Sequence, residues 1–291
     1  MSKKALKQDL RASLFIMPFL ITYMIFTIFP IIKGLEMSLY EWTLVRKLEF
    51  VGLENYQKML GDSKFWRTLW NTTLFVIFTT PTMVILALIL ALLANMRTRL
   101  QTFFRSAFFI PSILSVAVIS FLTVFMLQPY TGLVNTVLHS IGIEAEPFWT
   151  TDTVLAWITI VVVTLWWTVG FNMILFLAGL QDIPGSLYEA SEIDGATPWQ
   201  QFLHITLPQL IPIGRIVLLL QILASYKVFA QILLITEGGP NGATRPLIQY
   251  IYEVGFTQNN LGYAATMSYA LFFLLLILSI IQLRSQRLEE K

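Results

Sequence analysis

The chain of 291 residues contains no cysteine and only two histidines, His139 and His204. Without cysteine there is no disulfide framework, no thiolate metal site and no cysteine nucleophile. Charged residues make up 12% of the sequence, about half the share found in soluble domains. The net charge is only +2 and no basic tract is present, which argues against a nucleic-acid partner. The dipeptide Gly-Lys does not occur, so there is no Gly-x4-Gly-Lys-Ser/Thr phosphate loop. If ATP drives this chain, another subunit hydrolyses it. An HExxH helix and a serine nucleophile elbow are missing too, which leaves a membrane-embedded enzyme without support.

What the sequence has in excess is apolar residues, 56% of the total, with a mean hydropathy of +0.70. Six runs are long enough to cross a hydrocarbon core of about 30 Å, at residues 12–32, 71–94, 106–128, 153–180, 208–235 and 262–283. Backbone groups in lipid need internal partners, so each run is expected to be a helix; strand-like alternation is absent. The expected fold is an all-α membrane protein, a bundle of six transmembrane helices forming one domain over residues 1–291. The first run lacks a small-residue cleavage site and is read as an uncleaved span. No run contains Asp or Glu. Proton- and sodium-coupled carriers need an intramembrane carboxylate for the driving ion, so this absence counts against an ion-coupled carrier or channel acting as a homodimer. Only Arg215 and Lys227 interrupt the runs. Arg215 is close enough to the inner end of the fifth to snorkel. Lys227 lies deeper and is either a functional-site residue or a side chain reaching the outer interface or a loop acid.

Orientation follows from basic residues in the connections. Lys3, Lys4, Lys7 and Arg11 precede the first run, Arg97, Arg99 and Arg105 fill the second connection, and Arg284, Arg287 and Lys291 follow the last run. The third connection, residues 129–152, has none. The first connection is basic as well, but it is long, and long segments translocate despite their charge. Both termini are therefore expected on the cytoplasmic side, with the connection between the fourth and fifth runs.

That connection, residues 186–208, carries ordered helix signals. Ser186 and Glu189 have capping-box spacing, Gly195 suits a left-handed helix end, and Thr197, Pro198 and Gln200 form a second helix start. Pro208 is expected to stop the second helix. The result is a helix–Gly–helix elbow; its alternative is an amphipathic helix lying in the interface, though the elbow has no Lys or Arg to hold it there.

The elbow's Glu189-Ala190-Ser191, Asp194-Gly195-Ala196, Ile205 and Leu207-Pro208 resemble the EAA loop of binding-protein-dependent ABC importer permeases, with Ser191 replacing an alanine. Val51-Gly52-Leu53-x-Asn55-Tyr56, the Gly238-Gly239-Pro240 turn, Ile251-Tyr252 and Gly262-Tyr263-Ala264-Ala265 are similar to the carbohydrate branch, the maltose and glycerol-3-phosphate permease family. The resemblance implies a cytoplasmic coupling helix-turn-helix and a bacterial or archaeal inner-membrane location. It also implies a second homologous permease, two ATPase subunits holding ATP-Mg, and an extracytoplasmic solute-binding protein. This chain would bind no cofactor and no metal. Glu189 would dock on the ATPase, and Gly195 would let the elbow helices cross.

For a solute pathway, the fourth run offers Thr164, Trp167, Thr168 and Phe171 on one helical face, and the fifth offers Gln221, Ser225 and Val228. In the resembling maltose permease these faces line the sugar pocket. Aromatic rings stack on sugar rings, and hydroxyls bind their oxygens. Helix–helix packing is the alternative use of the same residues. Asn172, just off the face, suits the pocket or an interhelical hydrogen bond. Ala230 stands where family members often carry an acid after Lys-Val-Phe.

Overall fold

The computed structural model describes residues 15–96 and 101–289. Lys3, Lys4, Lys7, Arg11, Arg97, Arg99, Lys291, the Arg287 side chain and the first residues of the first predicted span lie outside them. In chain order the elements begin with α1 (Phe15–Ser38), β1 (Tyr40–Trp42), β2 (Lys47–Phe50) and α2 (Glu54–Gly61). Then come α3 (Ser63–Asn95), α4 (Gln101–Phe109), α5 (Val116–Met126), α6 (Leu133–Ser140) and α7 (Thr153–Gln181). The chain finishes with α8 (Gly185–Ile193), α9 (Pro198–Tyr226), α10 (Ala230–Thr236), α11 (Leu247–Tyr252) and α12 (Leu261–Glu289). Among the described residues, five helices are long and apolar enough to cross a membrane, and a bent pair makes a sixth.

The chain groups into two compact units. One takes the chain up to Phe65 together with Ile251–Phe273. Here α1 runs past the predicted end at Ile32, which brings Lys33 and Glu36 into its last turns as an ion pair of 2.7 Å. An antiparallel β1–β2 hairpin follows, which the sequence reading, finding no strand alternation, did not anticipate. Its strands have three and four residues, too short to show a period of two. Lys47 on β2 reaches Glu36 and lies 3.5 Å from the centre of the Tyr40 ring. Its hydrogen bond to Glu36 raises its pKa above the ordinary lysine value. The Val-Gly-Leu-x-Asn-Tyr fragment explains itself in this unit. Gly52 adopts φ +53°, and Asn55 Nδ2 donates to the carbonyls of Ser38 and Tyr40, both at 3.1 Å. Tyr56 shares a 2.9 Å hydrogen bond with Ser38. Gly262 is required because a Cβ there would stand 2.2 Å from the Tyr40 carbonyl oxygen.

The other unit takes Trp66–Tyr250 and the chain from Leu274. Its core joins α3, α7 and α9. Fully buried Met83, Ala87, Ala91 and Ala94 on α3 meet Leu165, Val169, Met173 and Phe176 of α7 and Leu210 and Val217 of α9. Lipid offers no hydrophobic drive between helices, so alanines at turn spacing allow the close backbone approach that dispersion requires. The span expected over residues 106–128 is not one helix. Pro111 lies in a 3-10 turn, Ile110–Ile113, after which the chain bends by 96° into α5. Ser115 caps the restarted helix, its hydroxyl accepting from the Val118 N–H. The fifth span also breaks within its predicted bounds, at Lys227–Phe229, before α10 resumes. Between α10 and α11, Glu237, Gly238, Asn241 and Gly242 all take positive φ, as the turn cluster predicts.

Candidate functional site

The face read along the fourth run forms in α7: Thr164, Trp167, Thr168 and Phe171 share one side of the helix and look into a cavity of about 450 Å³. α9 closes the opposite wall with Gln221 and Ser225, and Asn172 and Lys227 also line it. All eight residues predicted for the solute pathway thus surround one space, together with Val228. Phe75, Phe109, Ser112, Leu220, Ala224 and Gln231 complete the lining and were not foreseen.

The polar groups divide into two sets. Asn172 Nδ2 donates to Gln221 Oε1 at 2.9 Å, and Gln221 Nε2 donates to Ser225 Oγ at 3.0 Å. Ser225 in turn lies 3.2 Å from the Thr79 hydroxyl and receives a long bond from Thr80. These residues are buried, and their chain of bonds ties α3, α7 and α9 together. Asn172 thus borders the cavity and makes an interhelical hydrogen bond as well. The hydroxyls of Thr164 and Thr168 each donate to the carbonyl four residues back, both at 2.7 Å. Their lone pairs remain as acceptors facing the cavity. Thr79 and Thr80 were missed, since adjacent threonines recur along this stretch, as at Thr72 and Thr73, without marking a site.

Trp167 presents its ring to the cavity, while its indole N–H donates to the Leu114 carbonyl at 3.0 Å. That carbonyl sits at the 96° bend, where helical bonding stops. One turn on, a Cβ at Gly170 would lie 2.3 Å from the Phe108 carbonyl oxygen, so only glycine lets α7 pass this close to the bent segment. Lys227 is not in mid-helix. It caps the C-terminal end of α9, where the helix dipole favours a cation.

The elbow keeps its plan with two corrections. α8 starts at Gly185 behind Pro184, so Ser186 lies inside the first turn and forms no capping box with Glu189. The rigid φ of Pro184 sets the helix start ahead of the serine signal. Pro208 does not stop a helix either. Leu207 N–H bonds to Phe202 O, and the π turn Phe202–Thr206 accommodates the proline within the continuous α9. The remaining signals are in place. Gly195 takes φ +77°, Ala196 N–H bonds Ser191 O at 2.9 Å, and Gly195 N–H bonds Glu192 O at 3.1 Å, a Schellman ending. Thr197 and Gln200 form the second capping box, with Pro198 in the first turn. Two side-chain bonds lock the elbow: Tyr188 to Thr206 at 2.8 Å and Gln201 Nε2 to Ser191 Oγ at 2.9 Å. The serine standing for the family's alanine thus has a partner. A cleft of about 310 Å³ lies in the crook, lined by Ser191, Asp194, Gly195, Ala196 and Ile205, among others. Glu189 and Ala190 are exposed, and Ile193 is 87% exposed.

Among the described residues no three His, Asp or Glu side chains come close enough to hold a metal ion. A profile of the binding-protein-dependent transport system inner membrane component family matches residues 59–289. The lactose transport system permease protein LacF of Rhizobium radiobacter is 35% identical over 293 residues, covering 98% of each chain. The crystal structure of a bacterial ABC transporter that imports the acidic polysaccharide alginate contains a chain with a TM-score of 0.86, 25% identity and 99% coverage of both chains. The bacterial alginate ABC transporter in complex with its alginate pentasaccharide-bound periplasmic protein gives a TM-score of 0.83 at 25% identity, covering 96% of this chain and 94% of that one. This chain is a multi-pass membrane permease and belongs to the family of inner-membrane components of binding-protein-dependent transport systems.

Proposed function

We propose that this chain is one of the membrane-spanning subunits of an ATP-driven importer that moves a sugar or oligosaccharide into the cytoplasm by alternating access. The observation that carries this reading is the continuity of α9. One helix of 29 residues begins in the elbow at Pro198 and ends in the cavity wall at Tyr226. At about 1.5 Å per residue it is a rod of about 43 Å with no loop in which a push could dissipate. The elbow, locked by its Schellman turn and two side-chain bonds, seats Glu189, Ala190 and the exposed Ile193 against an ATPase subunit. Closure of an ATPase pair around ATP-Mg then moves the elbow as a rigid body, and the rod carries that movement to Gln221 and Ser225. Kinship with a lactose permease and an alginate importer supports a carbohydrate as the solute, and the cavity's acceptor hydroxyls and aromatic rings suit one.

The partners accord with the same reading: a second, homologous permease that completes the pathway, two ATPase subunits, and an extracytoplasmic binding protein that delivers the sugar. This chain itself hydrolyses nothing and needs no cofactor, and both its termini face the cytoplasm. The test is purification through an affinity tag in mild detergent, with mass spectrometry of the proteins that co-purify. A P-loop ATPase and a second six-span permease are the expected companions. A stable oligomer of this chain alone would overturn the reading in favour of an ion-coupled homodimer.

A further inference from the structure

The cavity lining contains one charged side chain, Lys227, and no Asp or Glu. Lys227 is exposed within the unit and makes no ion pair among the described residues. Ala230, which opens α10 after the break, brings no acid. Lys227 follows directly on the membrane-spanning helix, which ends at Tyr226, and its side chain borders the cavity. The C-terminal end of α9 favours a cation there through its dipole but provides no counter-ion. The neighbouring groups are set up for a different task. The Thr164 and Thr168 hydroxyls have spent their protons on backbone carbonyls, the Trp167 N–H is held by Leu114, and the Asn172 and Gln221 amides bond within the buried network. The walls therefore offer acceptors at Thr164 and Thr168 and an amide at Gln231, and their one charged donor is Lys227.

Resting on the pathway reading above, we propose that Lys227 is a specificity-determining residue: it binds the negative group of an acidic sugar, so that the preferred solute of this cavity carries a carboxylate or comparable anionic group. The ammonium supplies the charge-assisted bonds to the anion, while the Thr164 and Thr168 hydroxyls, the Gln231 amide and the Trp167 and Phe171 rings hold the neutral parts of the sugar.

The assembled importer in lipid nanodiscs, titrated calorimetrically with digalacturonate and with its neutral dimethyl ester, tests this. The two probes share rings and hydroxyls and differ in charge. The acid is expected to bind about tenfold tighter than the ester, the size of one charge-assisted bond. Lys227→Gln should bring the two affinities together by weakening the acid alone, and Lys227→Arg should keep the preference. Absence of acid binding, equal binding of the two probes, or a preference that survives Lys227→Gln would overturn the inference. A Lys227→Gln permease that no longer assembles with its partner would overturn it as well, because the lysine would then be pairing with a carboxylate across the subunit interface. Trp167→Ala separates this from failure of the pathway reading. If it weakens both probes alike, the cavity stands as a solute site without charge preference. If neither probe responds to either substitution, the pathway reading falls too.

Discussion

At the scale of single residues, the buried chain of Asn172, Gln221, Ser225, Thr79 and Thr80 decides how the cavity wall is held. These groups are all buried, yet hydrogen bonds between membrane helices contribute modestly. Gln221→Ala should therefore lower stability by about 1 kcal/mol, and Asn172→Ala by a similar amount. Replacing both by leucine removes donor and acceptor together, leaves nothing unsatisfied, and should be no worse than either single change. Thermal unfolding of the purified chain checks this; strictly additive losses would mean the two amides do not act as a pair. These two residues also show what was legible beforehand. An amide in an apolar run stands out against its surroundings, and a period of 3.6 places it on a definite face, so the cavity lining could be read from spacing. Its hydrogen-bond partners could not, because they depend on which helices meet. Thr79, Thr80 and Ser112 come from other segments, and nothing in their local sequence points toward α7 or α9.

Among the elements, the ones that break were the hardest to foresee. The bend after Ile113 had signals in Pro111 and Ser115, but the run around them stays apolar and reads as one span. What makes the bend tenable is tertiary: Trp167 satisfies the Leu114 carbonyl, and Gly170 leaves room for the Phe108 backbone. The break at Lys227–Phe229 has neither proline nor glycine, and the π turns leave no trace in composition. The elbow, by contrast, was legible because its caps are local chemistry, and it failed only where a proline overrode a serine signal and where a widened turn absorbed Pro208. Gly195 tests the elbow as a mechanical part. A Cβ there would touch nothing within 4 Å, so any penalty comes from its φ of +77° alone. Gly195→Val should strain the turn by about 1–2 kcal/mol, and in proteoliposomes uptake should fall more than ATP hydrolysis. Gly195→Asn, which tolerates the left-handed region, should retain both activities. Full uptake in the valine variant would remove the case for a rigid lever.

For the whole molecule, the lack of cysteine becomes an experimental convenience, since single cysteines can be introduced without background. Asn241 in the turn after α10 and Ile193 at the end of α8 are both exposed. With the elbow inside, Asn241→Cys should react with a membrane-impermeant maleimide applied to intact cells, and Ile193→Cys should react only after the membrane is opened. Labelling of Ile193→Cys from outside with Asn241→Cys protected would invert the assigned orientation, and labelling of both from outside would overturn the placement of the two turns on opposite sides. The unbroken α9 carries one more consequence, and it concerns phase. A helix turns by about 100° per residue, so the number of residues between Pro198 and Gln221 fixes the angle at which the cavity wall stands relative to the elbow. The π turn at Phe202–Thr206 accommodates one extra residue within that count. Removing a single residue there would restore a regular helix and leave Gln221 and Ser225 facing the cavity, whereas removing one from the regular helix between Thr206 and Gln221 would swing them away by about 100°. Along this segment the chain can tolerate changes of residue, but its length is itself inherited information.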